Sequence, residues 1–373
     1  MTGEDPFSLD HIRRRVLPEF SPALDPSRAV VTPLPGGLIN RTFLVSEGVV
    51  SEGAEVRSQY ILQWVNPIFP AAIHQNIAAV TAALRRAGVT SPALIPTTGG
   101  APCLTLEPEE PGAPPSVWRL MDRIAGVGFD VVGRPAQAFA AGGLVAAFHD
   151  ALRDLDHRVF TGRRTGVHDT PRHLAHLTDC LARHPDHALC EAVRALAAEI
   201  HAAATALPPL PALLERVGHG DLKFNNFLFA GPQPPEADRA VCLVDLDTVG
   251  PMNLAHEWGD AWRSWCNRAG EDAVEADLDL EIFDAAWEGY RQSLGRSLSH
   301  PEREALLVAP DWISLELAAR FAADALAERY FGWDPARFPS RGAHNLVRAR
   351  GQWSLHQAFA RTRSARARLL GVP

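Results

Sequence analysis

Two short polar stretches of the sequence contain residues whose types and spacing suit phosphoryl transfer. Residues 219–226 read HGDLKFNN, and residues 244–247, at the end of an apolar run, read VDLD. This places a base-like Asp, an Asn five residues later, and another Asp at the end of a predicted strand. Phosphoryl transfer depends mainly on positioning and on neutralising charge. The two stretches together therefore predict a phosphoryl-transfer site.

Four side chains in these stretches have roles that their chemistry permits. Asp221 is placed to orient an acceptor hydroxyl group and take its proton, and Lys223 is placed to meet a transferring phosphate. Asn226 and Asp245 supply the hard oxygen ligands that Mg²⁺ prefers. A plain turn and solvated strand-end acids would explain these residues one by one. The joint spacing is what favours a site.

The same spacing occurs in the protein-kinase catalytic loop, H-R-D-L-x-x-x-N, which is followed by a metal-binding Asp. Here Gly220 replaces the Arg, and no D-F-G motif is present. The stretches instead resemble the aminoglycoside phosphotransferase and choline kinase superfamily, whose loop reads H-G-D-x-x-x-x-N and whose second Asp lies in an I-D-x-D/E strand. This resemblance implies an α+β, bilobal protein-kinase-like fold that binds ATP between its lobes.

A narrower resemblance, from about residue 28 to about residue 355, is to the N-acetylhexosamine 1-kinases, which are bacterial anomeric sugar kinases. Its segments are GGLINRTF at 36–43, YILQWVN at 60–66, WRLMD at 118–122, DLDTV at 245–249, WGDA at 258–261 and HNLVRAR at 344–350.

Carried over by position, this resemblance implies roles for further residues. Asp221 is then the catalytic base, Lys223 neutralises the γ-phosphate, and Asp247 joins Asn226 and Asp245 near the metal. Asp260 is expected to anchor the catalytic loop by hydrogen bonds. For the acceptor, the expected contacts are Asp122 and Arg320, the latter because it interrupts an apolar stretch.

The nucleotide is expected to contact the first part of the chain. The strand-loop-strand at residues 34–45 would close over the phosphates, where Gly36 and Gly37 let the backbone approach closely. Asn40 and Gln63 are further expected nucleotide contacts, and Met121 belongs to a hinge that would hydrogen-bond adenine.

The chain departs from the kinase pattern at one place. Such kinases pair a cation on the third strand with an acid on the following helix, and this pair holds the ATP phosphates. Here the strand offers Gln63 and Trp64, and the helix offers His74 and Gln75. Nucleotide affinity or choice is therefore open, with Arg41 or Arg57 as candidate substitutes.

The pattern of apolar residues divides the chain into two unlike parts. Residues 28–124 alternate β-rich runs with turns, around one helix at 70–87, whereas the sequence after residue 134 has helical spacing interrupted only by a hairpin at 226–230 and 241–245. We predict an N-terminal nucleotide-binding lobe at 1–120 and a helical C-terminal lobe, with the catalytic loop and substrate site, at 121–373. The predicted C-terminal helices cover 135–152, 170–183, 186–207, 254–267, 277–294, 301–330 and 344–369.

Composition excludes several other classes. The formal net charge is −8, which argues against a nucleic-acid binder with a basic footprint. Five dispersed cysteines without a C-x-x-C pair fit reduced thiols. The N-terminal residues do not form a signal peptide, and the most apolar segment, 136–148, is too short to span a bilayer. We expect a cytoplasmic monomer or homodimer without membrane or nucleic-acid partners.

These observations predict an ATP- and Mg²⁺-dependent small-molecule kinase that acts on an alcohol, with the anomeric hydroxyl of a hexose or N-acetylhexosamine as the first choice. An aminoglycoside, choline-like or amino-alcohol acceptor is the alternative. A catalytically weak pseudokinase sensor is the rival from another class. A metal site among His168, His173, His176 and His184 is less favoured than surface helix positions, since no Cys or acid lies at ligand spacing.

Overall fold

The computed structural model describes residues 7–20, 24–35, 39–51, 54–108, 112, 114–162 and 167–373. The chain divides into two compact units. The N-terminal unit comprises Met1–Ala125 and Asp154–Arg163, and the C-terminal unit comprises Gly126–Arg153 and Arg164–Pro373. The return of the chain to the first unit is fixed by Asn76, whose side chain exchanges two hydrogen bonds, of 2.8 and 2.9 Å, with the backbone of Thr161.

An antiparallel sheet forms most of the N-terminal unit. Its order is β1-β2-β3-β6-β4, and β5 also pairs with β6. Opposite residues include Gln63 and Arg119, and Trp64 and Trp118. The strands are β1 Ala29–Leu34, β2 Arg41–Ser51, β3 Ala54–Val65, β4 Leu94–Ile95, β5 Leu104–Leu106 and β6 Ser116–Asp122.

One face of this sheet is covered by an N-terminal helical segment. It runs as α1 Leu9–His11, a π turn at Ile12–Val16 and a 3₁₀ turn at Leu17–Phe20. The side chains of Ile12, Val16, Leu17 and Phe20 are fully buried against strand residues that alternate in sequence, as a two-sided sheet requires. Helix α2, Ile73–Arg86, ends before Gly88, whose φ of +76° suits a helix terminus.

Helices make up most of the C-terminal unit. The principal packed pairs are α8 with α9, α3 with α7, and α6 with α8. Glycines let α3 and α7 touch, since a Cβ on Gly142 would lie 2.1 Å from Ala286 O and one on Gly289 would lie 1.9 Å from Phe139 O. The helices are α3 Pro135–Ala151, α4 Thr170–Arg183, α5 Cys190–Ala206, α6 Leu254–Trp265, α7 Leu280–Ser293, α8 His300–Ala327 and α9 Arg341–Leu370.

Two short antiparallel ribbons frame the loops of the candidate site. In one, β7 Arg216–Gly218 pairs with β10 Gly250–Met252, and in the other, β8 Phe227–Phe229 pairs with β9 Ala240–Leu243. The prediction that a single hairpin interrupts the helices was wrong, because β7 and β10 are three-residue strands that leave no periodic signal. The expected α+β class, with a sheet-rich N-terminal region and a helical C-terminal part, is confirmed.

Along the described parts of the chain, no helix has both the length and the apolar character needed to cross a membrane.

Candidate active site

The two polar stretches meet at the ends of the ribbons. The first stretch begins where β7 ends and reaches β8 through a 3₁₀ turn at Phe224–Asn226, and the second follows β9. Val244 N donates to Asn226 O at 2.9 Å, which joins the stretches directly. The hairpin thus brings together residues that are distant in sequence.

Asp221, Lys223 and Asn226 form a compact polar group. Lys223 Nζ lies 3.3 Å from Asp221 Oδ1 and 3.4 Å from Oδ2. Asn226 Nδ2 donates to Asp221 O at 2.8 Å and lies 3.4 Å from Oδ2. The side chains of Asp221 and Lys223 are 26% and 45% exposed, so a ligand can reach them. Sequence analysis predicted this grouping.

Lys223 is held in its charged form by its neighbour. The Asp221 carboxylate raises the pKa of Lys223 above its usual value of 10.5, against the opposing effect of burial. Lys223 is also the only lysine in the sequence, although Lys and Arg together number 36. A compact ammonium group, rather than a planar guanidinium, occupies the one cationic position inside the catalytic loop.

Glu257 on α6 fixes the start of the catalytic loop. Its carboxylate accepts hydrogen bonds from His219 N at 2.7 Å and from Gly220 N at 2.9 Å. His219 is buried, with Nε2 2.9 Å from Val244 O, and Thr248 Oγ1 donates to its carbonyl at 2.8 Å. Gly220 has a φ of +81°, and a Cβ there would lie 2.7 Å from Thr248 O. The loop conformation therefore requires glycine here.

A buried polar chain continues behind Glu257. His149 Nε2 lies 3.5 Å from Glu257 Oε1, and His149 Nδ1 is hydrogen-bonded to Tyr290 Oη at 2.9 Å. Burial alone would raise the pKa of Glu257, but the His149 hydrogen bond, the charges of His149 and His219, and the His219 N–H outweigh it and lower the pKa. Glu257 is thus an ionised anchor in the interior.

Asp260 does not anchor the loop as predicted. Its Oδ1 accepts from Arg263 Nε at 3.0 Å and from Nη2 at 2.7 Å, and Arg263 Nη1 also reaches Glu271 at 3.3 Å. Burial opposes ionisation of Asp260, yet Arg263 and then Lys223 lower its pKa. The anchoring role belongs to Glu257, and Asp260 contributes charge near Lys223.

The second stretch places Asp245 in an unusual backbone conformation. Asp245 has φ 64° and ψ 61°, the left-handed region that Asp and Asn tolerate better than most residues, and a 3₁₀ turn at Leu246–Thr248 follows. Asp247 lies in that turn and is buried. The sharp turn sets the direction in which the Asp245 carboxylate leaves the strand end.

The donor set at this turn fits a hard divalent cation. Asn226 uses its amide nitrogen on Asp221, which leaves the amide oxygen as a ligand group, and Asp245 adds a carboxylate. Among the described residues, no three His, Cys, Asp or Glu side chains are grouped as metal ligands. In proteins, Mg²⁺ is commonly held by one or two carboxylates together with substrate phosphates and water.

The expected nucleotide contacts of the N-terminal unit have definite partners. Gly36 and Gly37 lie outside the described residues. Asn40 Oδ1 accepts from Asn66 N at 3.0 Å, and Met121 pairs with Ile61 in the sheet.

Gln63 reveals a cation that sequence analysis missed. Arg119 donates to Gln63 Oε1 from Nε at 2.9 Å and from Nη2 at 2.7 Å, and Gln63 Nε2 donates to Thr42 Oγ1 at 3.0 Å. Arg119 is buried on the neighbouring strand. Trp64, on the opposite face, packs edge-on against Phe7, and the Arg41 guanidinium lies 3.7 Å from the Phe7 ring centre. The side chain of Arg57 is outside the described residues.

The two expected acceptor contacts belong to different units of the chain. Asp122 is in the N-terminal unit, where it pairs with Arg85. Arg320 is in the C-terminal unit, 3.9 Å from Glu316 and within 6 Å of the centres of the Tyr330 and Phe331 rings.

His168 does not occupy the surface position expected for it. Its Nδ1 lies 3.2 Å from Glu316 Oε1, and its ring lies 4.7 Å from that of His256. Thr170 Oγ1 donates to Glu316 Oε2 at 2.8 Å. Burial, aided by the nearby charge of His168, lowers the pKa of His256 to about 4.

Comparison with known sequences and structures gives consistent matches. The sequence model of the phosphotransferase enzyme family APH matches residues 30–292. A microcompartment-associated aminopropanol kinase has a TM-score of 0.62 at 18% identity, covering 96% of this chain and 98% of its own. Amicoumacin kinase hAmiN, in complex with AMP-PNP, Ca²⁺ and Ami, has a TM-score of 0.56 at 13% sequence identity, and the match covers 90% of this chain and 89% of that one. An ethanolamine kinase of Plasmodium vivax has a TM-score of 0.50 at 10% sequence identity, and the match covers 87% of this chain and 83% of that one. At these identities the structures show a shared fold.

Proposed function

We propose that this chain, which belongs to the phosphotransferase enzyme family, moves the γ-phosphoryl group of ATP to a hydroxyl group of a small molecule. It is a phosphotransferase with a hydroxyl acceptor. The observation that carries this proposal is the group formed by Asp221, Lys223 and Asn226, with the Asp245 strand joined to it by a backbone hydrogen bond.

In the proposed reaction, Asp221 orients the acceptor hydroxyl and takes its proton as the oxygen attacks. A positioned base of this kind contributes roughly 10²- to 10⁴-fold to the rate. Lys223 balances the charge of the transferring group, and its raised pKa keeps it protonated near neutral pH. Glu257 keeps the loop in place through the N–H groups of His219 and Gly220.

Asn226 and Asp245 would hold Mg²⁺, and Asp247 would support the metal from the same turn. When bound, the ion would neutralise negative charge on the phosphates. The oxygen donors of these residues support this role, as does the complex of a similar kinase with AMP-PNP and Ca²⁺.

The nucleotide would contact Gly36, Gly37, Asn40, Gln63 and Met121. In place of the usual third-strand cation, the N-terminal unit offers Arg119, which Gln63 holds by two hydrogen bonds. A cation supplied from β6 would compensate for the uncharged side chain on β3.

Two acceptor classes have support. The anomeric hydroxyl of a hexose or N-acetylhexosamine, with Asp122 and Arg320 as contacts, is supported by the motif resemblance at positions such as 36–43 and 118–122. An amino alcohol is supported by the similarity to the aminopropanol and ethanolamine kinases.

A coupled assay of ADP release over hexoses, N-acetylhexosamines, amino alcohols and aminoglycosides tests both the activity and the acceptor. We expect metal-dependent turnover with one class, lost in Asp221→Asn and kept in Asp186→Asn, a matched change at an exposed Asp. If ATP binds but stays intact with every acceptor, the kinase proposal fails and a nucleotide sensor takes its place.

A further inference from the structure

A groove in the C-terminal unit shares no residue with the catalytic loop, residues 219–226, or with the turn at residues 245–248, called here the metal turn. It has a volume of about 920 Å³ and lies between α9 and the loop that follows α6. The α9 side contributes Arg350, Trp353, Gln357 and Arg361, which recur along one face at helical spacing. This volume falls within the range of small-molecule sites, roughly 300–1,000 Å³.

The walls of the groove are fixed before any ligand arrives. Ser354 Oγ accepts from Ala276 N at 3.0 Å and donates to Ala276 O at 3.2 Å, which ties the loop to α9. A Cβ on Gly351 would lie 2.1 Å from Ala273 O, so only glycine allows this close approach. Arg268, at the loop's start, pairs with Asp279 at 2.5 Å. A preformed site spares a ligand the cost of ordering the loop.

The α9 wall of the groove is positively charged, whereas the chain as a whole is negatively charged. Helix α9 contains seven arginines and no acid, although the net charge of the chain is −8. Arg348 and Arg366 are paired with Asp272 and Asp311. Arg350 and Arg361 are exposed, and neither forms a hydrogen bond or ion pair with any residue that the structure describes. Their guanidinium donors are available to an anion.

The other lining groups narrow the chemistry of that anion. Trp353 provides an aromatic surface between the two arginines, and its ring stacks on His356 with centroids 5.2 Å apart, which holds it in place. Glu275 and Asp277, exposed on the opposite wall, can accept hydrogen bonds from hydroxyl groups. A bare polyanion would be repelled by these acids. A ligand with one anionic end, hydroxyl groups and a flat ring matches all three features.

We propose that this groove binds a nucleoside monophosphate as a second ligand site, separate from the catalytic loop. The phosphate contacts Arg350 or Arg361, the base stacks on Trp353, and ribose hydroxyls donate to Glu275 or Asp277, as acidic residues bind ribose in dinucleotide sites. Arg350 and Arg361 are 11 residues apart, or about 16 Å along the helix, so one phosphate engages only one of them.

Binding of AMP to the full-length protein without added metal, measured by isothermal titration calorimetry, tests the site directly. The test variant is Arg350→Gln with Arg361→Gln, and the control is Arg368→Gln, an exposed arginine of the same helix outside the groove. We expect AMP binding at least tenfold weaker in the double variant and unchanged in the control. Because the replaced side chains are exposed, the fold should persist, which circular dichroism checks.

Three results would overturn the site. They are no binding up to about 1 mM AMP, equal binding in the wild type and the double variant, or binding of inorganic phosphate as tight as that of AMP, which would exclude a role for the base and ribose. The assay needs no turnover, so its outcome is independent of the proposed kinase activity. Where turnover is found, the double variant should keep the wild-type KM for ATP.

Discussion

At the scale of single residues, the candidate site depends on charge placed within a few ångströms. Asp221 is contacted by Lys223 and Asn226, and both contacts orient its carboxylate. The chain uses arginine at every other cationic position of its sequence and lysine only at 223. A guanidinium beside Asp221 could form two short parallel hydrogen bonds to its carboxylate, whereas the Lys223 ammonium lies 3.3 and 3.4 Å from the two oxygens and holds neither tightly.

Replacing Asp221 by Asn should lower kcat by roughly 10²- to 10⁴-fold, since the variant retains the shape but cannot take a proton. Nucleotide binding should change little because Asp221 is proposed to act on the acceptor. Steady-state kinetics and nucleotide titration measure the two effects separately. Turnover close to that of the wild type would remove Asp221 from the mechanism.

Asp245→Asn tests the proposed metal site more sharply than Asp245→Ala does. Asn tolerates the left-handed backbone at this position, whereas Ala would add strain of about 1–2 kcal/mol. We expect the Asn variant to keep its thermal stability and lose Mg²⁺-dependent nucleotide binding, as titrations with and without Mg²⁺ would show. If metal dependence is the same as in the wild type, Asp245 is only a strand-end acid.

At the scale of elements, side chains of helix α6 hold the catalytic loop by hydrogen bonds. Glu257 binds the N–H groups of His219 and Gly220, and Trp265 Nε1 donates to Leu222 O at 2.6 Å. Both contacts come from one helix, two turns apart. The position of the catalytic loop is therefore set by α6, which itself packs on α8.

Glu257→Gln should destabilise the fold by about 1–3 kcal/mol near neutral pH, because one buried N–H group loses its acceptor. The structure keeps the pKa of Glu257 below its usual value of 4.5, so its contribution is fully present above pH 4.5 and lost as the pH falls through the folded-state pKa. The Tm difference between variant and wild type should therefore shrink in acid.

Thermal unfolding from pH 7 down through pH 4.5 to about pH 2 measures this change, because the contribution of Glu257 is lost only below pH 4.5. Glu199→Gln, at an exposed position on α5, is the matched control. A Tm difference that stays constant over this range would show that the charge of Glu257 is not what stabilises the loop. The kcat of Glu257→Gln should also fall, with nucleotide binding retained, because the loop is displaced while the metal turn is intact.

At the scale of the whole molecule, the two units carry different parts of the proposed chemistry. The C-terminal unit holds the proposed base, Lys223 and the proposed metal ligands, and the N-terminal unit holds the proposed nucleotide contacts. In the latter, β3 offers Gln63 where a cation is usual, and Arg119 lies beside it on β6.

Loss of a charge-assisted contact costs about 1.5–3 kcal/mol, or roughly ten- to a hundredfold in affinity. We therefore expect Arg119→Met to raise the KM for ATP by that factor, with a smaller change in kcat, since Lys223 and Asp221 are untouched. Arg123→Met, four residues beyond Arg119, is the control. If Arg119→Met lowers thermal stability but leaves the KM for ATP unchanged, Arg119 is a structural residue of the sheet.

The sequence alone determined the features that depend on local spacing. The HGDLKFNN stretch predicted the grouping of Asp221, Lys223 and Asn226, because these residues lie within a single loop. Helix α4 was predicted with its exact ends, since Asp169 caps its first turn and a proline occupies its start. The α+β class followed from the change in apolar period after residue 134.

Tertiary structure decided the contacts that link distant parts of the chain. The bond from Glu257 to His219 spans 38 residues, that from Arg119 to Gln63 spans 56, and that from His168 to Glu316 spans 148. None of these pairs has a periodic signal, and each partner has an ordinary role when considered alone. Asp260 and Glu257 are both acids of α6. Their side chains point in different directions, so Glu257 hydrogen-bonds to the catalytic loop whereas Asp260 pairs with Arg263. Spacing along the chain fixes which groups share a turn, whereas packing fixes which groups meet across the fold.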